Sequence, residues 1–205
     1  MIQKKVIIFG VMFGALVAAC TLTPRDTGTA FMFALAPIKI IQQQPDGESL
    51  VVAAPTTSPE LDTYRIALLG DGKRWDYYAG ARWSDFLPML VQDNITKTLE
   101  YTRMFRGVTT DETGLPAERM LKTEIRDFEA RYEAHEDVPV IKIRIVVSLL
   151  TRAERKPILS FTVNAEKKAA GPHLAQIQEA FTDVFNDAQR QMIEKLDQRP
   201  KLKQL

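Results

Sequence analysis

One cysteine and two histidines in 205 residues leave few ways to build a reactive centre. A lone thiol makes no internal disulfide, so no covalent framework supports the fold. His135 lies in a charged stretch and His173 beside Pro172, and neither sits in a nucleophile or metal-ligand spacing, so both read as solvated. The sequence has no GxGxxG, no phosphate loop and no GxSxG, which removes support for nucleotide binding and hydrolase chemistry. The acidic group Asp127, Glu129, Glu133, Glu136 and Asp137 lacks the ligand spacing and glycine of a calcium loop and reads as a solvated strand edge. Charge of either sign is not in excess: 27 basic and 26 acidic residues give a formal +1, which argues against nucleic acid as the main partner. No apolar run reaches the roughly 20 residues that cross a bilayer. These gaps predict no enzyme, no metal and no cofactor.

What is present begins at the N-terminus. Lys4 and Lys5 precede a 13-residue apolar run, residues 6–18, which is the charged and hydrophobic pattern of a secretory signal. Directly behind it stands Leu16-Val17-Ala18-Ala19-Cys20. Small residues before a cysteine resemble the lipobox of bacterial lipoproteins. The resemblance implies diacylation of the Cys20 thiol, cleavage after Ala19 and acylation of the new amino group with palmitate-type chains. Several chains would hold the protein on a membrane, whereas one alone binds marginally. The resemblance further implies that Thr21, where an aspartate would signal inner-membrane retention, directs the protein to the outer membrane, facing the periplasm. Loss of residues 1–19 removes Lys4 and Lys5 and takes the formal charge from +1 to −1. An uncleaved helix and an ordinary secretory signal cut near Ala19 are the competing readings.

The rest divides into a tether (20–28), a domain (29–198) and a short tail (199–205). A first strand is expected within 29–35, where Phe31-Met32-Phe33 would also serve as a sticky tether. Strands are expected near 50–54, 64–69, 74–78 and 104–108, with a turn at Asp71-Gly72. Ser84 is a good helix N-cap, and Phe86, Leu87, Leu90, Val91, Ile95 and Leu99 recur at helical spacing. Leu121, Thr123 and Ile125 alternate with charged residues, then Phe128, Ala130 and Tyr132 take the opposite phase, which predicts a bulge near Asp127. Ile141 to Leu149 and Leu159 to Ala165 alternate likewise. From His173 a long amphipathic helix carries Leu174, Ile177, Phe181, Val184, Phe185, Ala188, Met192 and Leu196 on one face, until Pro200. The expected fold is α+β: an antiparallel sheet with two amphipathic helices packed on one face.

Aromatic residues crowd at Trp75, Tyr77, Tyr78 and Trp83. Packing at the join of strand and first helix is the favoured reading. The alternative is an exposed patch for a protein partner or lipid, with Trp75, Tyr78, Arg82 and Trp83 as contacts.

The run Tyr78-Ala79-Gly80-Ala81-Arg82-Trp83-Ser84-Asp85-Phe86-Leu87-Pro88, followed by Leu121-Lys122-Thr123-Glu124-Ile125-Arg126-Asp127-Phe128-Glu129 and a closing amphipathic helix, resembles the ABC-type transport auxiliary lipoproteins. That family includes the lipoprotein subunit of the paraquat-inducible (Pqi) system. The likeness covers roughly 29–198 and is poorest over 29–41, around Lys39. It implies a non-enzymatic subunit of a lipid transporter, anchored through Cys20. An ABC permease and ATPase would work with an MCE (mammalian cell entry) domain protein that bridges the envelope, and this subunit would dock that bridge and support membrane integrity. A ring of identical subunits is compatible with it. The competing class is a structural lipoprotein of another envelope assembly, such as a secretion or pore complex.

Overall fold

The computed structural model describes residues 30–40, 47–70 and 74–200. Cys20, the tether and the Asp71-Gly72 turn lie outside them. Nine strands and two helices follow in the order β1 (Phe31–Phe33), β2 (Ser49–Val52), β3 (Thr56–Thr57), β4 (Arg65–Gly70), β5 (Arg74–Trp83), α1 (Leu87–Thr102), β6 (Gly107–Thr110), β7 (Arg119–Tyr132), β8 (Val140–Thr151), β9 (Pro157–Lys168) and α2 (Leu174–Asp197). Among the described residues no helix is long and apolar enough to cross a membrane.

β7 is the spine of one open sheet. Along one edge it pairs antiparallel with β8 over almost its whole length, and β8 pairs antiparallel with β9. The alternation that marks these strands in sequence is the alternation of burial: Ile141, Ile143, Ile145, Val147 and Leu149 are all fully buried, with Lys142 and Arg144 between them. The register slips between Ile125 and Asp127, so the bulge lies where the change of phase predicts it.

The other edge of β7 is shared by three short strands in turn. β2 pairs with Arg119–Leu121, β3 with Glu124 and Ile125, and β4 with Ala130–Tyr132, all parallel to β7. Outside them β6 runs parallel to β2, β5 antiparallel to β4, and β1 parallel to β5. The α+β class is as expected, but the sheet is mixed rather than wholly antiparallel. The physical reason is the spacing of prolines. Pro55 and Pro59 lack an N–H for the ladder, so residues 49–70 meet β7 as separate short segments that keep one direction. Thr56-Thr57, which falls outside the strands expected from the sequence, is one of those segments.

Both helices lie over one face and share one core with it. At its centre the Trp83 ring meets Phe33, Phe128 and Phe181 edge-on at centroid distances of 5.6, 5.5 and 5.1 Å. Phe128 and Phe181 stack at 5.8 Å. Each such ring, fully removed from water, contributes about 1.5–3 kcal/mol. Every residue expected on the apolar face of α2 is buried except Leu174, which packs partly against the core. α2 also covers the free edge of β9: the Gln191 amide accepts from Asn164 N–H (3.2 Å) and donates to Asn164 C=O (3.0 Å), which blocks further strand pairing there.

α1 begins later than its sequence signals suggest. Asp85, not Ser84, engages the chain, accepting the Phe86 N–H at 2.7 Å, and Phe86 occupies the N-cap position. Pro88 does fall in the first turn, where its missing N–H costs little. Starting at Leu87 turns Phe86 out of the buried stripe. The buried side of α1 is also more polar than expected. Gln92 donates to Val52 C=O and to Asp111 Oδ1, both at 2.9 Å. Thr98 accepts from Ile38 N–H at 3.2 Å and donates to Gln189 of α2, tying both helices to the segment after β1. In that segment Lys39 reaches over the Tyr101 ring at 5.5 Å.

Candidate functional site

β5 carries all four residues singled out as contacts, Trp75, Tyr78, Arg82 and Trp83, and the structure gives them different surroundings. Trp83, at its end, is 1% exposed and belongs to the core, so it is withdrawn from any contact surface. Its indole N–H has no hydrogen-bond partner among the described residues. Tyr78 is half-buried and shares a hydroxyl hydrogen bond of 2.8 Å with Tyr132. Burial, and then that hydrogen bond, push its phenol above the ordinary range. Trp75 and Arg82 remain exposed, at opposite ends of the strand. The register shift in β5 sets five of its residues against two of β4, so Trp75 and Arg82 stand opposite Leu69 and Arg65, about 13 Å apart along the sheet.

Two charged groups are drawn together instead. On the solvent side of the sheet, beyond the bulge, Asp127 pairs with Arg144 (2.7 Å) and with Arg131 (3.4 Å), while Lys142 lies 3.9 Å away. Glu129 has no exposed surface; it accepts from Arg131 Nε at 2.7 Å and from Phe128 N–H at 2.6 Å. Burial raises its pKa, opposed by the hydrogen bond from Arg131. The acidic run read as one solvated edge is thus divided. Asp127 and Glu129 are buried and neutralised by cations, whereas Glu136 pairs with Lys168 at the surface. An open groove of about 550 Å³ lies alongside, between Arg131, Glu133, Lys142 and Glu166, with Tyr132 and Val140 in its wall. Its two cations and two carboxylates give it no bias toward a charged ligand.

The second group is interior. Glu48 takes two bonds from Arg119, at 2.6 and 3.0 Å, and Arg199 lies 3.9 Å from the same carboxylate. Arg199 also donates to the carbonyls of Leu196 and Met104 and lies over the Phe105 ring at 4.2 Å. This triad ties the end of α2 to β7 and the chain before β2, so its role is structural.

Neither group places a nucleophile beside a base. Among the described residues no three His, Cys, Asp or Glu side chains could hold a metal ion. His173 is exposed and stands at the start of α2, where its N–H donates to the Gln176 side chain at 3.3 Å.

Sequence reasoning missed one surface feature. Of eight large apolar side chains exposed among the described residues, four (Phe31, Met32, Phe86 and Met89) belong to β1 and the start of α1, and a fifth, Tyr64, stands just before β4. Periodicity alone assigns Phe86 to the buried stripe. Pro88 was the available signal: a proline in the first turn places the helix start just before it and leaves Phe86 outside.

No curated protein matches the chain. Among solved structures it is similar to a protein of Xanthomonas campestris, with a TM-score of 0.74 and 18% identity over 82% of this chain and 96% of that one. A hypothetical protein of Chlamydia trachomatis matches at a TM-score of 0.51 and 10% identity, over 74% of this chain and 96% of that one. At these identities the likeness is one of fold. The model of one family, described as the ABC-type transport auxiliary lipoprotein component, matches residues 33–193. That span takes in the core, both charged groups' sheet strands and nearly all of α2, and the chain belongs to the family of ABC-type transport auxiliary lipoproteins.

Proposed function

We propose that this protein is a non-enzymatic, lipid-anchored subunit of an ABC/MCE-type lipid transport system of the bacterial envelope. The observation that carries the reading is the match of residues 33–193 to a transport auxiliary lipoprotein family behind a lipobox that ends at Cys20. Acylated Cys20 holds the domain at the outer membrane, on its periplasmic side. The domain docks the MCE protein that works with the permease and ATPase. A sheet whose solvent face holds neutralised charges rather than a reactive pair supports a binding role. Trp75, exposed on β5, is the contact assigned to that partner.

Purification of a tagged copy from its native membranes in mild detergent, with intact-mass analysis, tests the reading. The expected result is a triacylated chain that starts at Cys20 and brings an MCE protein and ABC subunits with it. An acylated chain that arrives with unrelated envelope proteins would contradict the transport role and favour a structural lipoprotein. A chain without acyl mass would contradict the anchor.

A further inference from the structure

The exposed apolar side chains near β1 share one corner of the fold. Backbone hydrogen bonds hold its three parts together: Ser84 N–H to Phe33 C=O (2.9 Å), Trp83 N–H to Tyr64 C=O (2.8 Å) and Leu87 N–H to Thr63 C=O (3.1 Å). Tyr64 and Phe86 meet edge-on at 5.7 Å, and Met89 follows Phe86 by three positions on the same side of α1. Phe31 and Met32 are 40% and 51% exposed on the outermost strand, Met32 directly opposite Arg82. Arg82 and Arg65, paired across β4 and β5, supply two exposed cations beside this apolar surface. The neighbouring Asp85 is engaged by the Phe86 N–H.

We infer that this corner lies on the phospholipid surface that holds the anchor, with Phe31, Met32, Tyr64, Phe86 and Met89 in the interfacial layer and Arg65 and Arg82 at the headgroups. The inference rests on the acylation of Cys20 proposed above. Given that anchor, its support is the place of the corner along the chain: Ala30, adjoining Phe31, is ten residues from Cys20. Ten residues of any conformation span at most about 33–36 Å. The corner is therefore held close to the bilayer, where even weak insertion is effectively intramolecular. Aromatic rings and arginines are the side chains suited to such an interface. The Trp75 end of β5 then points away from the bilayer, toward a partner that arrives from the periplasm.

The test uses acylated protein in vesicles of phosphatidylethanolamine and phosphatidylglycerol that carry a nitroxide-labelled lipid. With Cys20 acylated, Met32→Cys, Phe86→Cys and Leu115→Cys each offer one thiol for an environment-sensitive fluorophore. Leu115 is 56% exposed and precedes β7, at the opposite end of that strand from β4 and β5. Labels at positions 32 and 86 are expected to be blue-shifted and quenched several-fold more than the label at 115. Equal quenching at all three sites, with intact mass showing the acyl chains, overturns the inference and leaves the anchor standing. Self-quenching at position 32 that grows with protein density would also overturn it, by making this corner a contact between copies. An unacylated chain overturns the inference together with the reading it rests on.

Discussion

The half of the sheet built from β7, β8 and β9 and the half built from β1 to β6 solve the same problem differently. The first uses strands of 14, 12 and 12 residues in continuous antiparallel register, covered by the 24-residue α2. The second uses strands of 2 to 10 residues, mostly parallel, each stopped by a proline, a turn or a change of direction. Long ladders bury whole rows of Ile and Val and leave few loose ends. Short strands leave edges, turns and helix starts at the surface, and there most of the exposed apolar side chains gather. The comparison assigns stability to one half and contact to the other.

The largest effect should come from the ring cluster in which the halves meet. Trp83 belongs to the short-stranded half but touches Phe128 of β7 and Phe181 of α2. Trp83→Ala should cost about 3–5 kcal/mol in urea unfolding, the range for a large buried ring. Trp83→Phe should cost far less, since the indole N–H has no partner among the described residues. A Trp83→Ala variant that keeps its stability but loses partner binding would reverse the core assignment.

Next is the interior triad, which links α2 to the chain before β2. Arg119→Met leaves the Glu48 carboxylate without its bidentate partner and should cost about 3 kcal/mol, the lower end for a broken buried pair, since Arg199 stays near. Thermal unfolding of the variant gives the comparison.

A smaller, pH-dependent effect belongs to the solvent face of the long-stranded half. The raised folded-state pKa of Glu129 means that the folded chain holds this proton more tightly than the unfolded one. Its contribution is fully present below the ordinary carboxylate range, near pH 4, and is lost as pH rises through the folded-state value. Glu118 acts oppositely: its carboxyl, lowered to about 2 chiefly by the Ser49 hydroxyl, loses its contribution as pH falls toward that value. Subtracting the Glu129→Gln unfolding curve from the parent curve isolates the first effect. The difference should shrink in favour of the variant as pH rises from 4. A pH-independent difference would show that Arg131 offsets burial completely.

The smallest effect tests the start of α2. A Cβ on Gly171 would come within 2.3 Å of the Gln176 side-chain oxygen, which must swing away and release the His173 N–H. Gly171→Ala should cost about 0.5–1.5 kcal/mol, the net value of one hydrogen bond.

The long-stranded half was legible in sequence almost residue by residue. Period-two alternation from Leu121 to Ala165 and the helical stripe from Ile177 to Leu196 are strong signals because one face of each element is buried. The bulge was legible as well, through the change of phase at Asp127. In the other half most strands are too short to show a period, and outside the antiparallel β4–β5 pair parallel pairing leaves no hairpin signal between partners. Thr56-Thr57 is two residues, and its place on β7 depends on tertiary contact. Trp83 could be core or surface until its neighbours were known. The exposure of Phe86 depends on an N-cap shifted from Ser84 to Phe86, a displacement for which Pro88 is the one local signal. The cation-bound pair Asp127 and Glu129 was invisible for the same reason, since three of its partners come from two strands brought side by side.

The division of labour between the halves is tested most directly by hydrogen exchange, comparing the acylated protein on phospholipid vesicles with a Cys20→Ser chain free in buffer. The account predicts that the slowest amides lie in β7, β8, β9 and α2 in both states. It also predicts that vesicles add protection chiefly at residues 31–33 and 84–89. Slowest exchange in β1 to β6, or new protection confined to the outer face of β8 and β9, would contradict it.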